Sequence, residues 1–148
     1  MYGNVIKRII QNDARTRSQF CGVFAANELP YQLPYSLAIV NCCNADREGI
    51  HWLAICQEND DTLEFFDSFG LPPNIYNLTE NLPETTAISY NSRQLQSYYS
   101  EVCGHYCLYY CYFKVRGYRM SDIVSIFSND YDNNDLYVYN AVKKLYRL

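Results

Sequence analysis

Four apolar stretches, three of them short and one long, constrain this fold more than any other feature of the sequence. Three are short: Leu37–Cys42 (LAIVNC), His51–Cys56 (HWLAIC) and Leu63–Phe69 (LEFFDSF). Their length is typical of buried strands. The short polar segment Gln57–Asp61 (QENDD) lies between the second and the third, so these two predict an antiparallel hairpin. The fourth, Glu101–Val115 (EVCGHYCLYYCYFKV), is long enough for a buried helix.

Capping and turn residues set the expected limits of the helices. Ser100 is expected to cap the helix of Glu101–Val115, and Gly117 is expected to end it. The remaining predicted elements are helices at Val5–Ile10, Ser121–Phe127 and Asp135–Tyr146, the last capped by Asn133 or Asn134, and a strand near the sheet edge at Ala87–Tyr90. Central strands with surrounding helices predict an α+β fold, with a mostly antiparallel β-sheet flanked by helices.

Length and charge limit the classes of protein that fit. The chain has 148 residues, which predicts a single domain over residues 1–148. Its net charge of −4 argues against broad binding to nucleic acids or anionic membranes. No apolar run approaches the roughly 20 residues of a membrane span, and the first residues lack the order of a signal peptide. We therefore expect an intracellular protein whose seven cysteines are mostly reduced.

Four polar residues can supply the chemistry of a cysteine nucleophile. Cys103 stands in the first turn of the predicted helix, where free amides and the helix dipole favour a thiolate. His51 can accept the thiol proton, and Asp67 can orient its ring. The side chain of Gln96 and the backbone N–H of Cys103 are candidate donors to an oxyanion, although Gln94 is an alternative to Gln96.

Two further residues are expected to line the substrate site. Trp52 follows His51 directly and is expected to form one wall of the cleft. Gly104 follows the nucleophile, and its missing Cβ would let a substrate approach closely.

A structural zinc site is the competing interpretation for the cysteines of the long helix. Cys103, Cys107 and Cys111 recur on one helix side, but His105 is two residues from each of the first two and points elsewhere. We therefore expect no metal and no cofactor.

The order His, Asp, Gln, Cys resembles the cysteine peptidases of the adenovirus-protease and SUMO-protease group. The similarity to the adenovirus maturation proteases, the adenain type, lies in Leu37–Asn41, in Gly49-Ile50-His51-Trp52, in Phe66-Asp67-Ser68-Phe69-Gly70, and in Gln96 seven residues before Cys103-Gly104. The resemblance implies an adenain-like fold, with His51 as base, Asp67 as its orienting partner, Cys103 as nucleophile and Gln96 as oxyanion donor. It also implies cleavage after small residues, often glycine, in capsid or core precursors of a virus or virus-like DNA transposon.

Three departures from the adenain type change what is expected of partners. Asp67 stands where that type has glutamate, as in the SUMO-protease branch. No cysteine lies between Cys56 and Cys103, so any activating peptide is not expected to be disulfide-linked. The acidic net charge argues against activation by DNA. Two other functions stay open: removal of ubiquitin-like modifiers, and a catalytically inactive adaptor that binds peptides.

Overall fold

The computed structural model describes residues 1–30, 32–33, 36–43, 45 and 50–148. Gly49, part of the motif before His51, lies outside the described residues. The chain order is α1 (Gly3–Ile10), α2 (Ala14–Gln19), β1 (Phe20–Phe24), a 3-10 helix (Ala26–Glu28), β2 (Leu37–Asn41), β3 (Trp52–Asn59), β4 (Thr62–Phe66), a 3-10 helix (Pro73–Tyr76), β5 (Ala87–Tyr90), α3 (Cys103–Lys114), α4 (Met120–Ser125) and α5 (Tyr131–Leu145). The fold is α+β.

The five strands form one sheet in the order β1-β2-β3-β4-β5. The predicted hairpin is confirmed, because β3 pairs antiparallel with β4, and the predicted edge position of Ala87–Tyr90 is confirmed as well. The expectation of a mostly antiparallel sheet is wrong. Strands β1 and β5 each pair parallel with their neighbours, so the sheet is mixed. Parallel strands are joined by a long crossover connection, and the order of apolar segments along the sequence does not show which strands such a connection pairs.

Alternation along β2 and β3 divides the core between the two faces of the sheet. Leu37 and Ile39 face a cluster that includes residues of α1, α3, α4 and α5. Ala38 and Val40 face the other way, into a smaller cluster that contains Leu33 and Leu78. The helices with buried apolar residues therefore lie on one face of the sheet, rather than around it. Among the described residues, no helix is both long and apolar enough to cross a membrane.

The ends of two helices differ from their predicted positions. α3 begins at Cys103, its N-cap residue is Val102, and no side chain caps it within the described chain. Ser100 was expected as the cap but instead donates its hydroxyl to the carbonyl of Ser97. α5 begins at Tyr131, because Asp130 accepts a hydrogen bond from the backbone N–H of Asn133; neither Asn133 nor Asn134 is the cap. The expected stop at Gly117 agrees with its positive φ of 89°.

Candidate active site

The turn after β4 positions a buried carboxylate. Asp67 is fully buried directly after the last residue of that strand, and Gly70 donates its N–H to the carbonyl of Asp67. The carboxylate accepts from the backbone N–H of Phe69 at 2.9 Å and of Leu71 at 3.1 Å. Asn91 fixes the main chain, since its Oδ1 accepts from the N–H of Asp67 at 2.8 Å. Asp67 therefore closes a turn and is held for a second role at the same time.

That second role is a short contact with the imidazole of His51. His51 lies just before β3 and is buried, and its Nε2 is 2.6 Å from Oδ1 of Asp67. An acceptor at Nε2 keeps the proton on that nitrogen, which leaves Nδ1 as the ring atom for another partner. The ring of Phe69 stacks on the imidazole at a centroid distance of 4.2 Å and an angle of 14°.

Cys103 is the other partner of the imidazole. Burial alone would lower the pKa of His51, but hydrogen bonds and charge interactions with Asp67 and Cys103 outweigh it and raise that pKa to about 9. Burial would likewise raise the pKa of the Cys103 thiol. Hydrogen bonding and charge from His51, with backbone hydrogen bonds from Trp52 and Gly104, outweigh it and lower the pKa. The two shifts favour a thiolate–imidazolium pair.

The other cysteines with resolved shifts behave in the opposite way. Burial raises the pKa of Cys56 to about 12, with nearby carboxylates adding to the shift. Burial also raises the pKa of Cys107, which lies one turn further along α3. Burial raises the pKa values of the thiols of Cys21, Cys42 and Cys111 as well. Cys103 is the one thiol whose pKa is lowered among these six.

Gln96 is fully buried and lines the same cleft as Cys103, and Gln94 is not part of that lining. The Oε1 atom of Gln96 accepts from the hydroxyl of Ser68 at 2.6 Å. Its Nε2 lies 3.0 Å from the carbonyl oxygen of Ser100 and 3.1 Å from its hydroxyl. Both hydrogen bonds that the amide nitrogen donates therefore go to Ser100, so donation to an oxyanion would replace one of them, and that role stays a prediction.

A cleft of about 830 Å³ joins these residues, with Cys103, His51 and Gln96 in its wall. Trp52 lines it as expected, and its indole N–H donates to the carbonyl of Met1 at 2.9 Å. Gly104 differs from the expectation. A Cβ there would meet the side chain of Met1, with its Sδ at 3.2 Å and its Cβ at 3.3 Å, and Cδ1 of Ile6 at 3.6 Å. The missing Cβ of Gly104 therefore makes room for Met1 and Ile6 rather than leaving open space beside Cys103.

Three contributors were not found from the sequence. Tyr76 donates its hydroxyl to Oδ2 of Asp67 at 2.8 Å, and its ring lies 5.9 Å from that of His51. Asn91 holds the main chain of Asp67. Residues 1–4 form part of the cleft wall. No local motif marks these residues, because each reaches the site only through tertiary packing.

Comparison with known proteins adds little to this geometry. No protein-family model matches the chain, and no curated protein matches it. Among solved structures, the chain is similar to the central domain of the uncharacterized Lpg1148 protein from Legionella pneumophila, with a TM-score of 0.42 and 12% sequence identity. The match covers 85% of this chain and 88% of that chain. Function is therefore inferred from the site itself.

Proposed function

We propose that this chain is a cysteine endopeptidase with an adenain-like fold, which cleaves after small residues such as glycine in viral or transposon capsid or core precursors. The observation that carries the chemistry is the series Asp67, His51, Cys103, with the carboxylate 2.6 Å from Nε2 and the cysteine in the first position of α3. The substrate class rests on the resemblance of the four motifs to the adenovirus-protease group.

The steps of the reaction follow from the site's groups. The thiolate of Cys103 attacks the scissile carbonyl, and the carbonyl π electrons move onto oxygen. The N–H of Cys103 and the amide of Gln96 are the proposed donors to that oxyanion. When the C–N bond breaks, imidazolium His51 gives its proton to the leaving amine and a thioester remains. His51 then takes a proton from water, whose oxygen attacks the thioester and releases the acid and the thiolate.

Three single-residue variants of the purified protein test this proposal on a fluorogenic peptide, acetyl-Leu-Ala-Gly-Gly-aminomethylcoumarin, and on a ubiquitin-like modifier conjugated to the same fluorophore. Cys103→Ala and His51→Ala are expected to abolish turnover with the circular-dichroism spectrum retained. Cys107→Ala is the matched control, a buried cysteine one turn further along the same helix, and it should retain turnover.

Each alternative outcome points to a different conclusion. Cleavage by Cys103→Ala at the wild-type rate would contradict the assignment. Turnover of the modifier conjugate alone would favour a modifier peptidase. Peptide binding without turnover by the wild-type protein would favour an adaptor.

A further inference from the structure

Asn41 is a polar residue in an apolar row. Leu37, Ile39 and Asn41 alternate along β2, and the first two belong to the cluster that includes α3. The pleat therefore directs Asn41 to the same face, which is the face that carries Cys103. Asn41 is only 4% exposed, so an amide occupies a position where the pattern of the strand calls for an apolar side chain.

Within the described part of the chain, only one end of the Asn41 amide has a hydrogen-bond partner. Oδ1 accepts from the backbone N–H of Cys43 at 2.9 Å, which sets the orientation of the amide plane. The Nδ2 atom is buried and has no hydrogen-bond partner among the residues that the structure describes. A buried donor without an acceptor is unfavourable, and such groups are rare in folded proteins. The donor of Asn41 is therefore available to a group that arrives from outside.

The position of Asn41 identifies where that group would come from. Asn41 is the register partner of Trp52 on β3, and both residues line the cleft with Cys103. An extended peptide offers a carbonyl oxygen at every residue, alternating in direction along the chain. A neutral carbonyl can meet a buried amide donor without the desolvation cost of a carboxylate.

We propose that Asn41 is a substrate-binding residue whose Nδ2 donates to a main-chain carbonyl of the peptide in the cleft. This inference rests on the proposed peptidase function. It assigns Asn41 to peptide binding, and not to activation of the nucleophile, which is the task of His51 and Asp67.

Two reagents of different size separate peptide binding from thiol activation. Iodoacetamide is small and reports the thiolate of Cys103. A tetrapeptide vinyl sulfone, Leu-Ala-Gly-Gly, reports the same thiolate and also the fit of a peptide. For Asn41→Leu we expect the iodoacetamide rate at Cys103 to stay within about twofold. The inhibition constant of the peptide probe should rise about tenfold with little change in its maximal rate, as for one lost hydrogen bond. Asn41→Ala is the second variant if the leucine does not fold.

Asn59→Leu is the matched control. Asn59 is the last residue of β3 as Asn41 is of β2, and its Oδ1 likewise accepts the backbone N–H two residues on, that of Asp61 at 3.0 Å, but it is exposed and is not part of the cleft wall. This variant should leave the iodoacetamide rate and the inhibition constant of the peptide probe unchanged. Equal inhibition constants of the peptide probe for Asn41→Leu and wild type would overturn the inference. It would also be overturned if Asn41→Leu slowed the reactions of Cys103 with iodoacetamide and with the probe to the same extent. A third contradicting result would be a wild-type Cys103 that reacts rapidly with iodoacetamide but does not react with the peptide probe. A wild-type Cys103 without activation would instead refute the peptidase function itself, and this inference with it.

Discussion

Besides Cys103, three neighbouring side chains position the imidazole of His51. Asp67 bonds to Nε2, Phe69 stacks on one face of the ring, and Tyr76 lies tilted near it. A ring held in this way has little conformational freedom left to lose, so in the proposed reaction the geometry for proton transfer would exist before a substrate binds. His51 is thus positioned chiefly by residues of the turn after β4 and the segment that follows it.

Tyr76 offers a test of that positioning at the scale of one hydroxyl group. Tyr76→Phe removes the donor to Oδ2 of Asp67 and keeps the ring. A hydrogen bond to a charged group contributes about 1.5–3 kcal/mol, so urea unfolding should show a loss of that order. The rate of peptide cleavage should also fall, since a less firmly held carboxylate orients His51 less well. Tyr98→Phe is the control, because Tyr98 approaches Phe69 but is exposed. Equal stability and activity in the two variants would contradict this role.

At the scale of elements, the turn after β4 depends on Gly70. Its φ is +71°, and a Cβ there would lie 2.5 Å from the backbone carbon of Arg93. Gly70→Ala should therefore destabilise the protein by more than about 2 kcal/mol, because left-handed strain of about 1–2 kcal/mol is joined by a backbone clash. It should also lower activity, since the turn carries Asp67.

Gly117 supplies the comparison for Gly70. Its φ is +89°, but a Cβ there would meet nothing within 4 Å. Gly117→Ala should cost only the strain, about 1–2 kcal/mol, and leave activity intact. Thermal and urea unfolding of both variants measure the difference. Equal losses of stability would show that the contact with Arg93 relaxes freely.

Helix α5 supports the segment that carries Gln96. Asp135 is buried; its Oδ1 accepts from the hydroxyl of Tyr106 at 2.9 Å and its Oδ2 from the N–H of Ser97 at 3.3 Å. Asn134 donates to the carbonyl of Leu95 at 2.9 Å. Two neighbouring side chains of α5 thus hold the residues on both sides of Gln96.

Asp135→Asn tests this support. The amide NH2 group of this variant would face either the hydroxyl of Tyr106 or the N–H of Ser97, both of which are donors. Stability should therefore fall by about 1–3 kcal/mol. We expect kcat to fall while the iodoacetamide rate at Cys103 is retained. The variant would displace the segment that carries Gln96, the proposed oxyanion donor, and would leave the contacts of His51 in place. Asp132→Asn, exposed in the first turn of α5, should behave as wild type. A fall of the iodoacetamide rate in Asp135→Asn would contradict this division of the site.

At the scale of the whole molecule, the sequence predicts what is local and misses what depends on distant packing. The hairpin of β3 and β4 follows from two apolar runs and a short polar connection, and His51 and Asp67 meet because that hairpin joins them. β1 was not predicted as a strand. Its five residues are all partly buried without alternation, and it pairs with β2 across a connection that includes a 3-10 helix.

The candidate site likewise contains residues that local sequence patterns indicate and residues that only tertiary packing brings to the site. His51, Asp67 and Cys103 could be chosen from the sequence because each stands at the limit of a recognisable element. Gln96 lies inside the segment between β5 and α3, and it was indicated by its spacing from Cys103 in the family resemblance. Asn41 also stands at the limit of an element, the end of β2, but the role proposed for it rests on an amide donor that has no partner among the described residues, which only packing reveals. The N-terminal segment in the cleft wall likewise depends on contacts with α3 and Trp52, which no local pattern encodes.

The pH dependence of alkylation at each cysteine tests the central claim most directly, read by peptide mass spectrometry for the wild type and His51→Ala. The pKa of Cys103 is lowered and that of His51 is raised to about 9, so the thiolate forms as pH rises through a value below that of an ordinary thiol, while His51 is still protonated. We predict that wild-type Cys103 is labelled at a lower pH than the cysteines whose pKa is raised by burial, such as Cys21 and Cys56. In His51→Ala, burial should dominate and move that labelling to higher pH. A Cys103 that reacts no faster than the other cysteines, or equally in both proteins, would contradict the account.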